Sequence, residues 1–443
     1  MKRNILFVGI MALVVMLALS SCENDYPPSV WNPDDPGKPT PVITAIVPAD
    51  TSYEGVGIID IYGHFFSANP AENLVFFNAG RGTILEADTN HLKVKCPVLI
   101  ESPTQNAIDS VKIKIAVQGA YLFGEYKKPD GTFRPYRLER AAIEYGAFDA
   151  TNKPHALEVG PDEALYVATE AKNIYKVYYD NAGNLVTEPF ATNLAISIIS
   201  GMRMGKDGKL YFVRKNKSIY RVGAGEAKVE WAKNTASSGN LNDLDFDNNG
   251  IIYAVGNGDS IFAFNSNVPS PKSKGVFYSK GFDFCAVRYY DSYLYVAGKY
   301  TGTNPNISPK AVWRFKITST AGGLDTLEQV FDWNAYVGAT GPLIQSLAID
   351  EEGDLYIGSM ETYNATPAYV KTPALTKYNM MTKTAEPFYD SILYPPATHM
   401  AWGTRNYLYI TRLTSDETAS GAPKIRVIRV SMPINGAPYY GRP

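Results

Sequence analysis

Alternation of apolar and polar residues dominates the chain after residue 40, and this period of two predicts β-strands. In residues 41–120, segments such as Gly57–Gly63 and Ser110–Val117 alternate in this way, and turn residues separate them at short intervals. No helical period competes with the alternation. We therefore expect half-buried strands arranged as a β-sandwich in this region.

After Ala150 a second pattern begins, because one phrase of strand, tight polar turn and strand returns six times. Each copy carries a tyrosine in its second strand: Tyr166, Tyr211, Tyr253, Tyr295, Tyr356 and Tyr409. Their separations of 45, 42, 42, 61 and 53 residues are typical of one four-stranded propeller blade per repeat. The last copy lacks an obvious fourth strand, so we predict that residues 143–148 complete it and close the ring.

Two resemblances to known folds follow from these patterns. The first region resembles an IPT/TIG immunoglobulin-like domain in the order of its residues Pro41, Ile43, Ile46, Pro48, Ile59, Ile61, Gly63, Phe66, Val75, Phe77, Leu92, Val94, Pro97, Val111, Ile113 and Ile115. The repeats resemble an NHL-type six-bladed β-propeller. We therefore expect an all-β protein with an IPT/TIG sandwich at 41–120, a linker at 121–140, a propeller at 141–435 and a tail at 436–443.

The N-terminal residues resemble a bacterial lipoprotein signal. Lys2 and Arg3 precede an apolar segment, Ile5 to Leu19, and Leu19-Ser20-Ser21-Cys22 matches a lipobox. The resemblance implies cleavage of residues 1–21 and acylation of Cys22 with palmitate, so that this residue anchors the chain in a membrane. An ordinary secretory signal or a transmembrane helix is the alternative, although fifteen apolar residues are short for a membrane span.

The residues after Cys22 suggest where the anchor is placed. Glu23, Asn24 and Asp25 resemble the acidic tag that directs some lipoproteins to the outer face of the outer membrane. Residues 22–40 contain five prolines and no hydrophobic period, which is typical of an extended tether. We therefore expect an outer-membrane protein, lipid-anchored and facing the cell exterior.

Composition narrows the function classes. Removing residues 1–21 leaves 40 basic against 44 acidic residues, a net charge of −4, which does not favour nucleic-acid binding. Cys96 and Cys285 then remain, far apart in the chain, and we expect both to be buried apolar residues without a disulfide.

The propeller repeat places a second set of candidates at the channel. Eleven positions before each blade tyrosine lie His155, Ser200, Asn242, Gln345 and Thr398, and the shorter fourth copy places Cys285 there. The next position holds Ala156, Gly201, Asp243, Ala286, Ser346 and His399. This ring is polar but nearly uncharged, and we expect His155, His399, Asn242 and Gln345 to contribute to ligand binding.

A metal-dependent enzyme is a weaker prediction from the same positions. Propeller hydrolases of the gluconolactonase type hold a divalent cation with Glu, Asp and Asn side chains, and here only Asn242 and Asp243 qualify. We therefore expect no metal ion, no cofactor and no catalytic residue. The alternative is a lactonase, lyase or hydrolase at the channel mouth that uses His155, His399 and Asp243.

Aromatic residues in the longer loops complete the set of predicted ligand-binding residues. Tyr and Trp offer flat apolar faces with a polar tip, which suit sugar rings or peptides. The residues are Trp333, Tyr336, Tyr300, Tyr363, Tyr369 and Tyr394.

The combination of lipid anchor, tether, IPT/TIG domain and propeller resembles accessory surface lipoproteins of Sus-like uptake systems. That resemblance implies a non-enzymatic binding or docking subunit for a glycan or peptide, working beside a TonB-dependent transporter and its lipoprotein lid. A structural envelope scaffold is a further alternative. We favour the binding role over an enzymatic one.

Overall fold

The computed structural model describes residues 36–441 except 101–104, 196–197, 235–238, 270, 361, 364–368, 371, 404, 416 and 419–422. Its contacts divide the chain into two compact units. The described residues of the first unit are 36–47, 60–94 and 112–134, and those of the second lie within 48–59, 95–111 and 135–441. Cys22 and the whole signal-like segment lie outside the described residues.

The N-terminal third of the chain forms short strands, as the alternation predicts. They are β1 (Val42–Val47), β2 (Thr51–Tyr53), β3 (Ile58–His64), β4 (Asn73–Phe77), β5 (Gly80–Arg81), β6 (Thr83–Ala87), β7 (His91–Lys95), β8 (Ala107–Val111), β9 (Ile113–Val117), β10 (Gly124–Glu125) and β11 (Tyr136–Glu139), with a 3-10 turn at Pro70–Glu72. The sheet orders are β1-β3-β7-β6, β10-β9-β4-β5 and β2-β11-β8. Residues 121–140, predicted to be a linker, therefore contain β10 and β11.

The first two of these sheets form an immunoglobulin-like sandwich. Alternate residues of their strands are buried, including Ile61, Val75, Phe77, Leu92 and Val94, all with no exposed surface. Burial of one face of each strand is what the period of two predicted.

The rest of the chain forms six four-stranded sheets, the blades of a propeller. Blades 1 to 3 contain β13 (Pro154–Val159), β14 (Leu165–Thr169), β15 (Ile174–Tyr179), β16 (Leu185–Ala191); β17 (Gly201–Met204), β18 (Leu210–Val213), β19 (Ser218–Val222), β20 (Val229–Lys233); β21 (Leu241–Phe246), β22 (Ile251–Gly256), β23 (Ser260–Asn265) and β24 (Lys274–Tyr278). In each, the strands pair antiparallel in chain order from the innermost outwards.

Blades 4 to 6 carry the insertions. They contain β25 (Phe282–Tyr290), β26 (Tyr293–Tyr300), β27 (Lys310–Lys316), β28 (Glu328–Phe331); β29 (Ile344–Ile349), β30 (Leu355–Ser359), β33 (Leu375–Asn379), β34 (Thr384–Phe388); β35 (His399–Trp402), β36 (Tyr407–Arg412), β37 (Arg426–Ser431) and β12 (Ala142–Glu144). A short helix, α1 (Trp333–Val337), precedes β29, and a two-stranded hairpin, β31 (Thr362–Tyr363) with β32 (Tyr369–Val370), is inserted in blade 5.

The ring closes as the sequence predicted. Strand β12 pairs antiparallel with β37, with Ala142 opposite Val430 and Glu144 opposite Ile428. The innermost strands β13 and β35, from blades 1 and 6, are in contact. Closure leaves the sixth blade with four strands and covers the outer edge of β37.

The polar turn of the repeat has a local physical cause. Asp247 Oδ1 accepts hydrogen bonds from the backbone N–H groups of Asn249 (2.9 Å) and Ile251 (2.8 Å), and Gly250 has a φ of +80°. Asp350 makes the same contacts in blade 5, to Glu352 (3.1 Å) and Asp354 (2.8 Å). These Asp and Gly residues therefore build the hairpin turn, as expected for an Asx turn.

Much of the aromatic content packs between blades. The ring centroids of Tyr211 and Phe246, from blades 2 and 3, are 5.3 Å apart, and those of Tyr356 and Trp402, from blades 5 and 6, are 4.9 Å apart. Both contacts are edge-to-face, a favourable geometry for aromatic pairs.

Among the residues of the described ranges, no helix has the length and apolar character needed to span a bilayer.

Candidate functional site

In four of the blades, a β-bulge near the start of the innermost strand changes the direction of one side chain. His155, Asn242, Cys285 and Gln345 are skipped in the pairing between the innermost strand and its neighbour. A bulge of this kind bends the strand and redirects a side chain. These residues occupy the position that the repeat spacing singled out.

Blades 2 and 6 reach the same arrangement just before their innermost strands. The backbone N–H and the hydroxyl of Ser200 both donate to the carbonyl of Val213, at 2.9 and 3.4 Å. Thr398 does the same to Thr411, at 3.0 Å for each bond. We call the six residues the mouth ring: His155, Ser200, Asn242, Cys285, Gln345 and Thr398.

The mouth ring forms part of the lining of one cavity of about 350 Å³. The other lining residues are Ile198, Ile199, Lys215, Asp283, Gly298, Lys299, Leu343, Ile344, Met360 and Leu413. A neighbouring cavity of about 450 Å³ shares His155, Gln345 and Thr398 with it. The structure thus brings together three of the predicted ligand-binding residues, His155, Asn242 and Gln345, and their ligand binding stays a prediction.

The sequence analysis missed the residues that surround this ring. Lys215, Lys299, Met360 and Leu413 each lie four positions after a blade tyrosine. In a repeat fold the same position of each second strand reaches the same face of the ring, so this spacing could have found them.

Most hydrogen-bond donors among the mouth-ring side chains already donate to acceptors within the protein. The amide nitrogen of Asn242 donates to Asp283 Oδ1 (3.0 Å) and to the carbonyl of Phe284 (2.8 Å). The thiol of Cys285 donates to the carbonyl of Ile344 at 3.3 Å. Together with the Ser200 and Thr398 hydroxyls, these groups leave mainly oxygen acceptors for a ligand.

Charged residues lie deeper in the channel. Glu158, Arg203 and Asp245 lie eight positions before their blade tyrosines, and Arg288 lies seven positions before its own in the shorter blade 4. Asp243 lies ten positions before Tyr253. Arg203 contacts Glu158 at 2.8 Å and Asp245 at 3.0 Å, which links blades 1, 2 and 3. Arg288 contacts Asp243 at 2.6 Å, which links blades 4 and 3. All five side chains are at most 7% exposed. The nearly uncharged ring predicted from the sequence concerned the channel mouth, and all of these charged residues except Asp243 lie outside the positions it covered.

Asp243, the ion-pair partner of Arg288, and His399 each directly follow a mouth-ring residue in the chain. Asp243 is 2% exposed and His399 is 4% exposed, and neither lines the mouth cavity. His399 Nδ1 accepts a hydrogen bond from the backbone N–H of Leu157 at 3.2 Å. His399 therefore connects blade 6 to blade 1. Its side chain is buried below the mouth ring and does not line the cavity with His155, and its part in ligand binding stays a prediction.

Burial controls the protonation of these side chains. Burial lowers the pKa of His399 to about 3, so the imidazole is neutral at physiological pH. Burial alone would raise the pKa of Asp243, but the Arg288 and Arg203 guanidinium groups hold it below its usual range. Burial also lowers the pKa of His155. His399 therefore lacks the near-neutral pKa that favours general acid–base work.

Side chains of the innermost strands link neighbouring blades around the ring. Asp245 Oδ2 accepts from the N–H of Tyr289 in the next blade at 2.8 Å. The hydroxyl of Ser346 donates to the carbonyl of Ala397 at 2.6 Å. Innermost strands of different blades share no backbone ladder, so these bonds position the mouth-ring residues relative to one another.

The C-terminal residues cover the opposite end of the channel. The N–H of Ala437 donates to the carbonyl of Ile349 at 3.0 Å, and the Tyr439 hydroxyl donates to the carbonyl of Val159. The ring of Tyr440 stacks on Phe246 with centroids 5.0 Å apart. A small cavity of about 50 Å³ lies beside the ion pairs and is lined in part by Ala437, Pro438 and Tyr439. The mouth cavity therefore lies at one end of the channel, and the C-terminal residues pack at the other end.

The predicted aromatic residues are not gathered in one place. Trp333 is 1% exposed and its indole N–H donates to the carbonyl of Pro342 at 2.8 Å, so the predicted exposed face is wrong. Tyr300 packs on Phe282 with ring centroids 4.6 Å apart. Burial of these rings reflects the packing value of large apolar surfaces.

The other predicted aromatics differ in exposure. Tyr336 is 38% exposed and Tyr394 is 41% exposed. Tyr363 and Tyr369 are paired in β31 and β32, and their side chains lie outside what the structure describes. The mouth cavity is not lined by any of the four aromatic residues whose side chains are described, which are Trp333, Tyr300, Tyr336 and Tyr394.

Within the described ranges, no group of three or more His, Cys, Asp and Glu residues is arranged to hold a metal ion. In the channel, the carboxylates of Glu158, Asp243 and Asp245 are each paired with a guanidinium group of Arg203 or Arg288. The arginines supply the positive charge that these buried carboxylates require.

Both cysteines of the described chain are free thiols. Cys96 is 2% exposed, and burial raises its pKa to about 11. Burial likewise raises the pKa of Cys285 to about 12. Thiols with raised pKa values are poor nucleophiles, and the prediction of buried residues without a disulfide is confirmed for Cys96.

Comparison with known proteins identifies one region of the chain. Residues 41–132 match the IPT/TIG domain. The match begins where the sequence analysis placed the domain and extends beyond its expected end at residue 120. No curated protein is significantly similar to the chain.

Several solved structures are similar over most of the chain or over the propeller. An auxiliary nutrient binding protein from Bacteroides ovatus is 12% identical, with a TM-score of 0.42, and the match covers 90% of this chain and 99% of that one. One from Bacteroides thetaiotaomicron is 12% identical, with a TM-score of 0.44 and coverages of 90% and 98%. Regucalcin, a calcium-binding protein from Agrobacterium tumefaciens, is 12% identical, with a TM-score of 0.42 and coverages of 65% and 93%.

Proposed function

We propose that this protein is a lipid-anchored surface protein that captures a small ligand at the mouth of its propeller channel. The observation that carries the proposal is the mouth cavity, to which every blade contributes one mouth-ring residue and beneath which the buried ion pairs lie. A pocket of about 350 Å³ lies near the lower end of the range for ligand sites.

A non-enzymatic role is supported by the groups that the enzymatic alternative would need. His399 is buried and accepts the N–H of Leu157, and Asp243 is paired with Arg288. Both side chains are therefore committed to holding blades together. His155 remains at the mouth, without a second titrating partner whose pKa is near neutral.

The place of the protein in the cell is part of the proposal. The sequence of residues 1–25 supports an acylated Cys22 and export to the outer face of the outer membrane. We infer that the protein works beside a TonB-dependent transporter and its lipoprotein lid, to which it delivers a captured glycan or peptide. The net charge of −4 after removal of residues 1–21 supports a role without nucleic acid.

Ligand retention tests the binding function. Equilibrium dialysis against panels of oligosaccharides and peptides should find a retained ligand, and Gln345→Ala should weaken its binding about tenfold. Gln329→Ala, on an exposed outer strand, is the matched control and should have no effect. If the protein instead converts a bound compound, and His155→Ala abolishes that conversion, the result would support the enzymatic alternative.

Cell fractionation tests the location. Cys22→Ser should move the protein from the membrane to the soluble fraction, and external protease should reach the wild-type protein on intact cells. Copurification with a transporter while no ligand is retained would favour the scaffold alternative.

A further inference from the structure

The mouth cavity has an uneven distribution of charge. Its lining contains two lysines, Lys215 and Lys299, and one acid, Asp283. Lys299 Nζ lies 3.5 Å from Asp283 Oδ2, so this lysine already has a counter-ion. Lys215 forms no ion pair with another residue of the described ranges, and burial lowers the pKa of the neighbouring His155. The cavity therefore carries an excess positive charge that a ligand with an anionic group would neutralise.

The position of Lys215 is set by the backbone. It has a φ of +55°, and its N–H donates to the carbonyl of Leu241 in the next blade at 3.1 Å. This bond ties the loop after β18 to the start of β21. The ammonium group is therefore carried by a loop fixed at both blades, with its flexible side chain at the cavity.

The rim of the cavity is aliphatic. Ile198 is 42% exposed, Leu343 is 36% exposed and Met360 is 41% exposed, and all three line the cavity. Exposed large apolar side chains that gather around a pocket are typical of a binding surface. They fit an aliphatic group of the ligand, and the thioether of Met360 adapts to its shape.

The floor of the cavity requires a ligand that donates hydrogen bonds. The amide protons of Asn242 and the hydroxyl proton of Thr398 are engaged with the protein, which leaves Asn242 Oδ1 and Thr398 Oγ1 as acceptors. The side chain of Gln345 has no hydrogen-bond partner among the described residues and offers both a donor and an acceptor. A peptide backbone has N–H groups that can donate to these acceptors and C=O groups that can accept from the Gln345 amide.

We propose that the mouth cavity binds a short peptide by its free C-terminal carboxylate, which pairs with Lys215, while an aliphatic side chain packs against Ile198, Leu343 and Met360. The N–H groups of the peptide donate to Asn242 and Thr398. This inference rests on the proposed binding function and chooses peptide over glycan as the ligand class.

Calorimetric titration of the folded wild-type chain with trileucine, trileucine amide and maltotriose tests this inference. Trileucine should bind, and its amide should bind about tenfold more weakly because the carboxylate is lost. Lys215→Gln should reduce the affinity for trileucine to that for the amide and should leave the amide unaffected. Lys316→Gln, an exposed lysine at the end of β27 away from the cavity, is the matched control and should preserve the difference.

The outcomes separate the ligand class from the binding function. Equal affinity for trileucine and its amide, or an undiminished difference in Lys215→Gln, would overturn the carboxylate site. Binding of maltotriose and not trileucine would overturn the peptide class and leave the proposed binding function intact. Failure of every peptide and oligosaccharide to bind would overturn both. Unchanged thermal unfolding of Lys215→Gln shows that a loss of affinity is not a loss of fold.

Discussion

The backbone N–H of Leu157 donates a hydrogen bond to Nδ1 of His399 across the junction of blades 1 and 6, at 3.2 Å. The two residues are 242 positions apart in the chain. This bond requires the imidazole to be unprotonated at Nδ1, so the neutral ring carries its proton at Nε2. A residue expected to bind a ligand is thus part of the ring closure.

His399→Ala should destabilise the propeller. The substitution leaves the buried N–H of Leu157 without its acceptor and creates a cavity, so the free energy of unfolding should fall by about 1–3 kcal/mol. Urea unfolding monitored by fluorescence measures this loss. His399→Asn, whose amide oxygen can accept the same hydrogen bond, should recover part of it. An Ala variant as stable as wild type would show that the bond contributes nothing.

The same histidine should make stability depend on pH. Its pKa is lowered to about 3 in the folded protein, so below about pH 6.5 the unfolded chain binds the proton and the folded chain does not. Stability should therefore fall as the pH decreases from 6.5 towards 3. Thermal unfolding across this range should show a shallower decline for His399→Asn than for wild type. Parallel declines would exclude His399 as a cause.

The ion pair of Arg288 and Asp243 should show strong coupling. Arg288→Met removes the guanidinium group that pairs with the buried carboxylate of Asp243. The free energy of unfolding should therefore fall by about 3–5 kcal/mol. Adding Asp243→Asn should recover part of this loss, because the unpaired charge is removed. A double-mutant cycle measured by urea unfolding gives the coupling energy. Additive effects of the two substitutions would contradict the contact.

Gly201 is required by the neighbouring Asp243. A Cβ at Gly201 would lie 2.4 Å from Asp243 Oδ1 and 2.7 Å from its Cα, and the backbone atom cannot easily move away. Gly201→Ala should therefore lower the free energy of unfolding by about 1–3 kcal/mol. Gly275→Ala is the matched control, because its nearest contact, Ser260 Oγ at 3.5 Å, is an ordinary one. Equal stability of the two variants would contradict the steric explanation.

The C-terminal cover should contribute to the stability of the propeller. Tyr440 stacks on Phe246, and Lys206 lies over its ring at 4.4 Å from the centroid. Tyr440→Ala should cost about 1–2 kcal/mol, since it removes aromatic stacking and a cation–π contact. Tyr278→Ala, which removes a tyrosine that is 66% exposed, should cost much less. Calorimetric melting of both variants measures the difference.

The repeat allowed much of the site to be predicted. The spacing of the blade tyrosines placed the mouth ring correctly, because each copy has the same local pattern of strand, turn and strand. The exposed character of Trp333 was predicted wrongly, because an aromatic residue in a loop segment gives no local sign of the pocket that buries it. The lysines at the mouth were not predicted, because the candidate channel positions came only from the start of each innermost strand, whereas Lys215 and Lys299 lie at the end of the second strand or just after it.

The sequence by itself determined the strands, the number of blades and the positions that reach the channel. The strands follow from the alternation of apolar and polar residues, and the blades and channel positions follow from the repeat of one blade length. Only the tertiary structure decided how those positions are used. Arg203 contacts Glu158 and Asp245, which are 45 and 42 residues away, because packing of consecutive blades brings their innermost strands side by side. Which charges pair and which histidine is buried depend on those distances between blades, and no local pattern encodes them.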